Sequence, residues 1–284
     1  MSGVREIKGR IKSVRNIQQI TKAMKMVAAA RIKKVETRMK AARPYAYKMK
    51  EVVAELVSQL GGEKDPLMEV RTCARVAVVV VGADKGLCGS YNNNLLRLAS
   101  STVLRHQADG HEVDVIAIGN KAWRFFQKRG YNIVREVTGW SPDFTLAADL
   151  AALTTRLFVS GKVDEVWAVY THVESAMSQV ARVDRILPLG GETEKPGAVP
   201  YLFEPDDHQA LAAILPRYLE TIFFQILLES RTAELGARLR AMSNATDNAE
   251  KLVGTLTLDF FRARQAAITN EILEVASGAE ALNK

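Results

Sequence analysis

The chain has 284 residues, with 48% hydrophobic and 25% charged side chains, which is the composition of a folded domain or two and excludes a disordered chain. Its net charge of +7 is unevenly placed: residues 1–50 hold fifteen Lys/Arg against Glu6 and Glu36, so the remainder is net negative. Two cysteines, Cys73 and Cys88, give neither a disulfide framework nor a CxxC set, and no uninterrupted apolar run approaches the roughly 20 residues of a membrane helix. The N-terminal stretch has charge but no apolar h-region or small-residue cleavage pattern, so no secretory signal is expected.

The first element is a long basic helix. Val4, Ile7, Ile11, Val14 and Ile17 step by three and four, and Ile20, Met24, Val27, Arg31 and Val35 continue nearly in phase, which predicts a coiled-coil seam. The pattern persists to about Leu60, where Gly61, Gly62 and Pro66 stop it, giving a rod of roughly 85 Å with a kink expected at Pro44. Such a basic arm suits nucleic acid, anionic lipid or an acidic protein surface equally, and charge alone does not choose among them.

The middle of the chain alternates. RVAVVVVG (Arg75 to Gly82), VDVIAIG (Val113 to Gly119) and DEVWAVYTHV (Asp164 to Val173) read as strands, separated by helical stretches near Asn92–Gln107, Lys121–Lys128 and Thr145–Phe158. QVARVDRILPL (Gln179 to Leu189) adds an antiparallel edge to a mostly parallel sheet, and GGETEKPGAVP (Gly190 to Pro200) is a polar loop. The glycine-rich GADKGLCGSYNNN, Gly82 to Asn94, follows the first strand but fails both phosphate-binding patterns. Gly82 and Gly86 are one residue too close for a Walker loop, Lys85 precedes the turn, and no G-x-G-x-x-G is present. The four histidines, His106, His111, His172 and His208, show no metal-ligand spacing, and none lies near a cysteine or in an H-x-x-x-H pair along the sequence. No nucleophile elbow, kinase set or placed carboxylate pair appears, so no catalytic residues, cofactor or metal are predicted.

The C-terminal third returns to helical grammar. Met242, Ala245, Ala249, Leu252, Leu256, Asp259, Ala263, Ala266, Asn270 and Leu273 alternate steps of three and four, and the helix is expected to start near Pro216 and end near Ala276. Its acidic balance makes antiparallel pairing with the basic N-terminal helix favourable. The expected fold is therefore α/β with long helices: an antiparallel two-helix coiled coil (residues 1–60 and 208–284) with an inserted Rossmann-like domain (61–207).

Three stretches carry a family resemblance: REIKGRIKSVRNIQQITKAMKMVAAARIKK (Arg5 to Lys34), DKGLCGSYN (Asp84 to Asn92), and ARLRAMSNATDNAEKL with ARQAAITNEILEVASGAEAL (Ala237 to Leu252, Ala263 to Leu282). In this order they resemble the gamma subunit of F-type ATP synthase over essentially the whole chain. The resemblance implies a non-catalytic central rotor shaft whose partners are the alpha and beta subunits of the hexamer, the epsilon subunit and the c-subunit ring. It implies catalysis in the beta subunits, coupling of proton movement to ATP synthesis or hydrolysis, and a peripheral place on the cytoplasmic face of a bacterial inner membrane. On the matched motifs it places Met24, Lys25, Arg238, Arg240, Arg264, Gln265 and Thr269 toward the beta subunit, with Arg238 and Arg240 flanking the same upper region as Arg264. It places Tyr201, Phe203 and Glu204 toward the c ring or epsilon. Phe203 stands where a tyrosine is common and Asn270 where a longer polar residue is common. The cysteine insertion of plastid relatives is missing, so thiol regulation is not expected. The rival reading is a coiled-coil nucleic-acid-binding protein using the basic arm, although seam and charge share one helix here instead of lying in succession.

Overall fold

The computed structural model describes residues 2–59, 65–174, 178–189 and 207–282. Two helices dominate, α1 (Ser2–Gln59) and α5 (Asp207–Leu282), and the chain divides into two compact bodies, residues 1–28 with 238–284 and residues 29–237. Each body takes a part of both helices.

In the first body the seam of α1 runs through Val4, Ile7, Ile11, Val14, Gln18, Thr21, Lys25 and Ala28, an unbroken alternation of three and four, with Met24 half-buried beside Lys25. Along α5, Thr246, Ala249, Val253, Leu256, Phe260 and Ala263 step by matching intervals in the opposite direction, and Thr246 Oγ1 donates to Thr21 Oγ1 at 2.9 Å. This is an antiparallel coiled coil, as expected, and its seam keeps Val4 to Val14 and Met242, Ala249, Leu256 and Ala263 of the expected one but departs from it elsewhere. Ile17, Ile20 and Val27 are 52%, 59% and 51% exposed, and Leu252 and Leu273 also face outward. The physical reason is the period. Ile11 to Val14 to Ile17 takes two consecutive steps of three, a slip that the supercoil does not make; it goes on to Gln18 and Thr21 and leaves the isoleucines beside the seam.

The second body is the α/β domain. Its elements in order are a 3₁₀ turn (Pro66–Met68), β1 (Arg75–Val81), α2 (Tyr91–Ala108), β2 (Glu112–Ile118), α3 (Asn120–Gln127), β3 (Asn132–Val137), α4 (Phe144–Val159), β4 (Glu165–Val173) and β5 (Gln179–Leu187). The sheet order is β3-β2-β1-β4-β5, with β1 to β4 parallel and β5 antiparallel at the edge. β1 is central and covered on both faces. Ala77, Val79 and Val81 pack with α4 and with Leu215, Leu219 and Phe223 of α5, while Val76, Val78 and Val80 pack with Leu95, Ala99 and Val103 of α2 and Phe126 of α3. That is why its sequence is a continuous apolar run instead of an alternation.

Two expectations are corrected here. β3 was not expected as a strand: as a sheet edge it carries Asn132, Arg135 and Glu136 and buries none of its residues fully, so its hydrophobic pattern is too thin to read. Helix α5 begins at Asp207, well before Pro216, and continues through Gly278. Pro216 and Ala212 are both exposed, so the carbonyl that the proline cannot satisfy faces water. By length and composition alone α5 is long and apolar enough to cross a membrane, although no uninterrupted apolar run in it is that long. Its apolar residues have another use: Leu211, Leu215, Leu219, Phe223, Ile226 and Leu227 are buried in the core of the second body. Helix α1 runs through Pro44 without ending. The loop 190–200 lies outside the described residues.

Candidate partner-binding surfaces

The turn after β1 sits where the strand order reverses, between the β2 side and the β4 side of β1, which in doubly wound sheets is the usual ligand crevice. Here the crevice is filled by the chain itself. Trp140 Nε1 donates to the Gly82 carbonyl at 3.0 Å, and the buried Tyr91 hydroxyl lies between the carbonyls of Val81 (3.3 Å) and Ser230 (3.2 Å). Asn92 Oδ1 accepts from the Ala83 N–H at 3.2 Å. Asp84 Oδ1 accepts from the N–H groups of Asn120 (3.1 Å) and Gly139 (2.8 Å). A phosphate would need those backbone donors free. Gly119, at φ +90°, is required by close approach, since a Cβ there would stand 2.2 Å from the Gly82 oxygen. GADKGLCG is thus a clasp joining three loops at one end of the sheet. Leu87 stands out of it at φ +63°, 63% exposed, a strained apolar side chain offered to solvent.

All seven residues expected to face the beta subunit fall within the first body. They form two bands, not one. Lys25 occupies a half-buried seam position level with Met242, and Met24 beside it is also half-buried; Arg238 and Arg240 lie close to that level on α5. Arg264, Gln265 and Thr269 are exposed, with the Thr269 hydroxyl donating back to the Gln265 carbonyl at 3.0 Å. From Arg240 to Arg264 is 24 residues of one helix, roughly 36 Å, so Arg238 and Arg240 do not flank the Arg264 region. Tyr201, Phe203 and Glu204 lie outside the described residues.

Motif matching missed a broader feature. Ile17, Ile20 and Val27 form an exposed apolar stripe on α1, and Leu258, Phe261, Ile268, Ile272 and Val275 do the same on α5. Beyond Ala267 every described side chain of α5 is exposed. Apolar surface on this extent is what partner-covered helices carry. A strict heptad count would have found it, because residues that are apolar but off the count must face something else.

In the second body a cleft of about 700 Å³ lies between β4, β5 and α5. Across it His172 Nδ1 meets Glu229 Oε2 at 2.6 Å, and the Tyr170 hydroxyl donates to Asp184 Oδ2 at 2.7 Å. Burial pushes the Glu229 carboxyl up, against the opposing pull of His172; burial and the Asp184 carboxylate both push the Tyr170 phenol up. The first pair fastens β4 to α5, and the second joins β4 to β5. The fold also brings together two residues 38 apart in sequence, His111 Nδ1 lying 3.8 Å from Cys73 Sγ.

A family model described as ATP synthase matches residues 3–282. The chain is 42% identical to the ATP synthase gamma chain of Brevibacillus brevis over 98% of both chains, and 42% identical to that of Moorella thermoacetica over 99% of this chain and 100% of that one. The chain belongs to the ATP synthase gamma-chain family. Among solved structures it is similar to a chain of the Euglena gracilis mitochondrial ATP synthase, a complex of OSCP, F1 and c-ring, with TM-score 0.70 at 16% identity, covering 99% of this chain and 95% of that one. A chain of the Tetrahymena thermophila mitochondrial ATP synthase central stalk and c-ring is similar with TM-score 0.60 at 23% identity, over 80% of this chain and 99% of that one. At those identities the likeness concerns the fold: two long terminal helices with a five-stranded sheet between them.

Proposed function

We propose that this chain is the central rotor shaft of a bacterial F-type ATP synthase, turning inside a hexamer of alpha and beta subunits and joined through epsilon to the ring of c subunits. The observation that carries the reading is the exposed apolar surface of the coiled coil, together with the full-length match to gamma chains. The chain itself supplies no catalytic group. ATP is made or hydrolysed in the beta subunits, and proton movement through the complex drives or follows the turning. The assembly is peripheral, on the cytoplasmic face of the bacterial membrane, and residues 1–60, 61–207 and 208–284 divide the work into helix, inserted domain and helix.

A shaft transmits torque if it resists twisting and presents a different profile to each partner. The antiparallel seam supplies stiffness, and the uncovered α5 beyond Ala267 supplies an off-axis profile. As the shaft turns, each beta subunit meets a different face and changes its nucleotide affinity, which is coupling through differential contacts between states. Met24 and Lys25, with Arg238 and Arg240, form a lower band of contacts toward the beta subunit; Arg264, Gln265 and Thr269 form an upper one. Solvent-exposed polar contacts contribute only about 0–1 kcal/mol each, so they can break at every step. Tyr201, Phe203 and Glu204 form the foot toward the c ring or epsilon.

The test is reconstitution of the chain with separately purified cognate alpha and beta subunits. A complex with sustained ATP hydrolysis well above that of the components, from a chain that hydrolyses nothing alone, supports the reading. Failure both to assemble and to stimulate overturns it.

A further inference from the structure

Helix α5 carries a second seam. Leu258, Phe261, Gln265, Ile268, Ile272 and Val275 follow one another by alternating steps of three and four, the spacing of a coiled-coil stripe, and all six are exposed. Val253, Leu256, Phe260 and Ala263, which form the seam with α1, lie roughly 130° away around the same helix. The contact between Thr21 and Thr246 also shows how far α1 reaches. Counted outward from that pair in opposite directions, Ser2 at the start of α1 is level with Gln265, so α1 does not accompany the last turns of α5. A helix with two heptad stripes has room for two helical neighbours, and within the first body it has one.

The pattern of the second seam suits another copy of itself. Read in reverse, Leu258 matches Val275, Phe261 matches Ile272 and Gln265 matches Ile268. Two antiparallel copies therefore set apolar against apolar in the outer layers, about a two-fold axis, which is the self-complementary arrangement of a closed dimer. The two Gln265 side chains fall in the two central layers, roughly 4.5 Å apart along the axis, where their amides can reach one another.

The charges beside the seam choose the direction. Arg264 and Glu271, both exposed, immediately precede the seam residues Gln265 and Ile272 and so lie on one flank of the stripe. Within one chain they are seven residues apart, roughly 10 Å along the helix, too far to meet each other. Antiparallel pairing sets Arg264 of one copy beside Glu271 of the other, offset by only about 3 Å along the axis, and the two-fold repeats the ion pair. Parallel pairing would instead face Arg264 with Thr269 and Glu271 with Ala276, which gives no ion pair.

We propose that, before assembly, two copies of this chain pair antiparallel through residues 258–275 of α5, covering the apolar stripe until other subunits take it over. A stripe of this length is short for a coiled coil, which keeps the dimer weak and easily displaced. Arg264 and Gln265 belong both to the dimer contact and to the upper band toward the beta subunit, so dimer and complex exclude one another; this exclusion rests on the shaft reading, whereas the pairing itself does not.

The test is sedimentation equilibrium of the full-length chain alone, under reducing conditions and over a range of concentrations. A reversible monomer–dimer equilibrium is expected. Ile272→Lys weakens it roughly tenfold or more, while Leu273→Lys, equally exposed but off the stripe, leaves it unchanged. Arg264→Glu also weakens the dimer, by roughly tenfold as two attractions become repulsions, and adding Glu271→Arg to it restores the original affinity. Circular dichroism checks that each variant keeps its helix content. A chain that stays monomeric, a dimer indifferent to Ile272→Lys, or a double reversal that fails to restore affinity overturns the proposal. Stimulation of ATP hydrolysis with alpha and beta subunits is read separately: a monomeric chain that stimulates removes the dimer alone, and a dimeric chain that neither assembles nor stimulates removes the shaft alone.

Discussion

Arg264 and Gln265 are exposed side chains on α5 and make no contribution to the buried seam. Replacing both by alanine is expected to leave thermal stability within about 0.5 kcal/mol, as for surface positions generally, while lowering coupled ATP turnover of the assembled complex. Unchanged turnover removes them from the upper contact band. His106 makes a different prediction. Burial, then Arg105 and His111, hold its imidazole below the ordinary value near 6.5, with Glu165 and Asp109 pulling the other way. The folded state therefore refuses a proton that the unfolded chain accepts, so the His106 contribution to stability is level above about pH 6.5 and falls as the pH drops below it. Urea midpoints at pH 7.5 and 5.5, with the His106 ring titrated by NMR, check the sign; a midpoint that rises on acidification contradicts it.

Among the elements, the clasp after β1 is held by one carboxylate serving two loops. Asp84→Ala leaves the N–H groups of Asn120 and Gly139 without that acceptor and is expected to cost about 1–3 kcal/mol, read as a lowered denaturation midpoint. Gly119→Ala costs more, because both the positive φ and the Gly82 oxygen oppose a Cβ. The two stripes of α1 separate in the same way. Val14→Ser on the seam weakens the isolated chain, whereas Ile17→Ser, 52% exposed, leaves it nearly unchanged and acts on assembly with alpha and beta subunits. Equal loss of stability in both contradicts the observed register. This register shows where sequence reading reaches and where it stops. β1, β2 and β4 were legible because a run such as RVAVVVV has one use, a strand covered on both faces. The seam was half legible: apolarity marks Val4 to Val14, but beyond that the period decides, and it selects Gln18 and Thr21 over Ile17 and Ile20. β3 was not legible, since an exposed edge needs few apolar residues.

For the molecule as a whole, two long helices enclosing an inserted domain could be read from patterning, and the partner surfaces could not. The seven side chains proposed from motif matches are divided by the 24 helical residues between Arg240 and Arg264, and only the three-dimensional register leaves the apolar stripes facing outward. The approach of His111 to Cys73 was likewise invisible in spacing, because it depends on Gly110 turning the chain and on β1 lying beside β2. The most direct check of the shaft is rotation. With the hexamer fixed to a surface and a bead attached through Lys128→Cys, an exposed position, in a Cys73→Ser background, added ATP should turn the bead in one direction, pausing once per beta subunit. Sustained hydrolysis in assembled complexes whose beads do not turn would contradict a rotor.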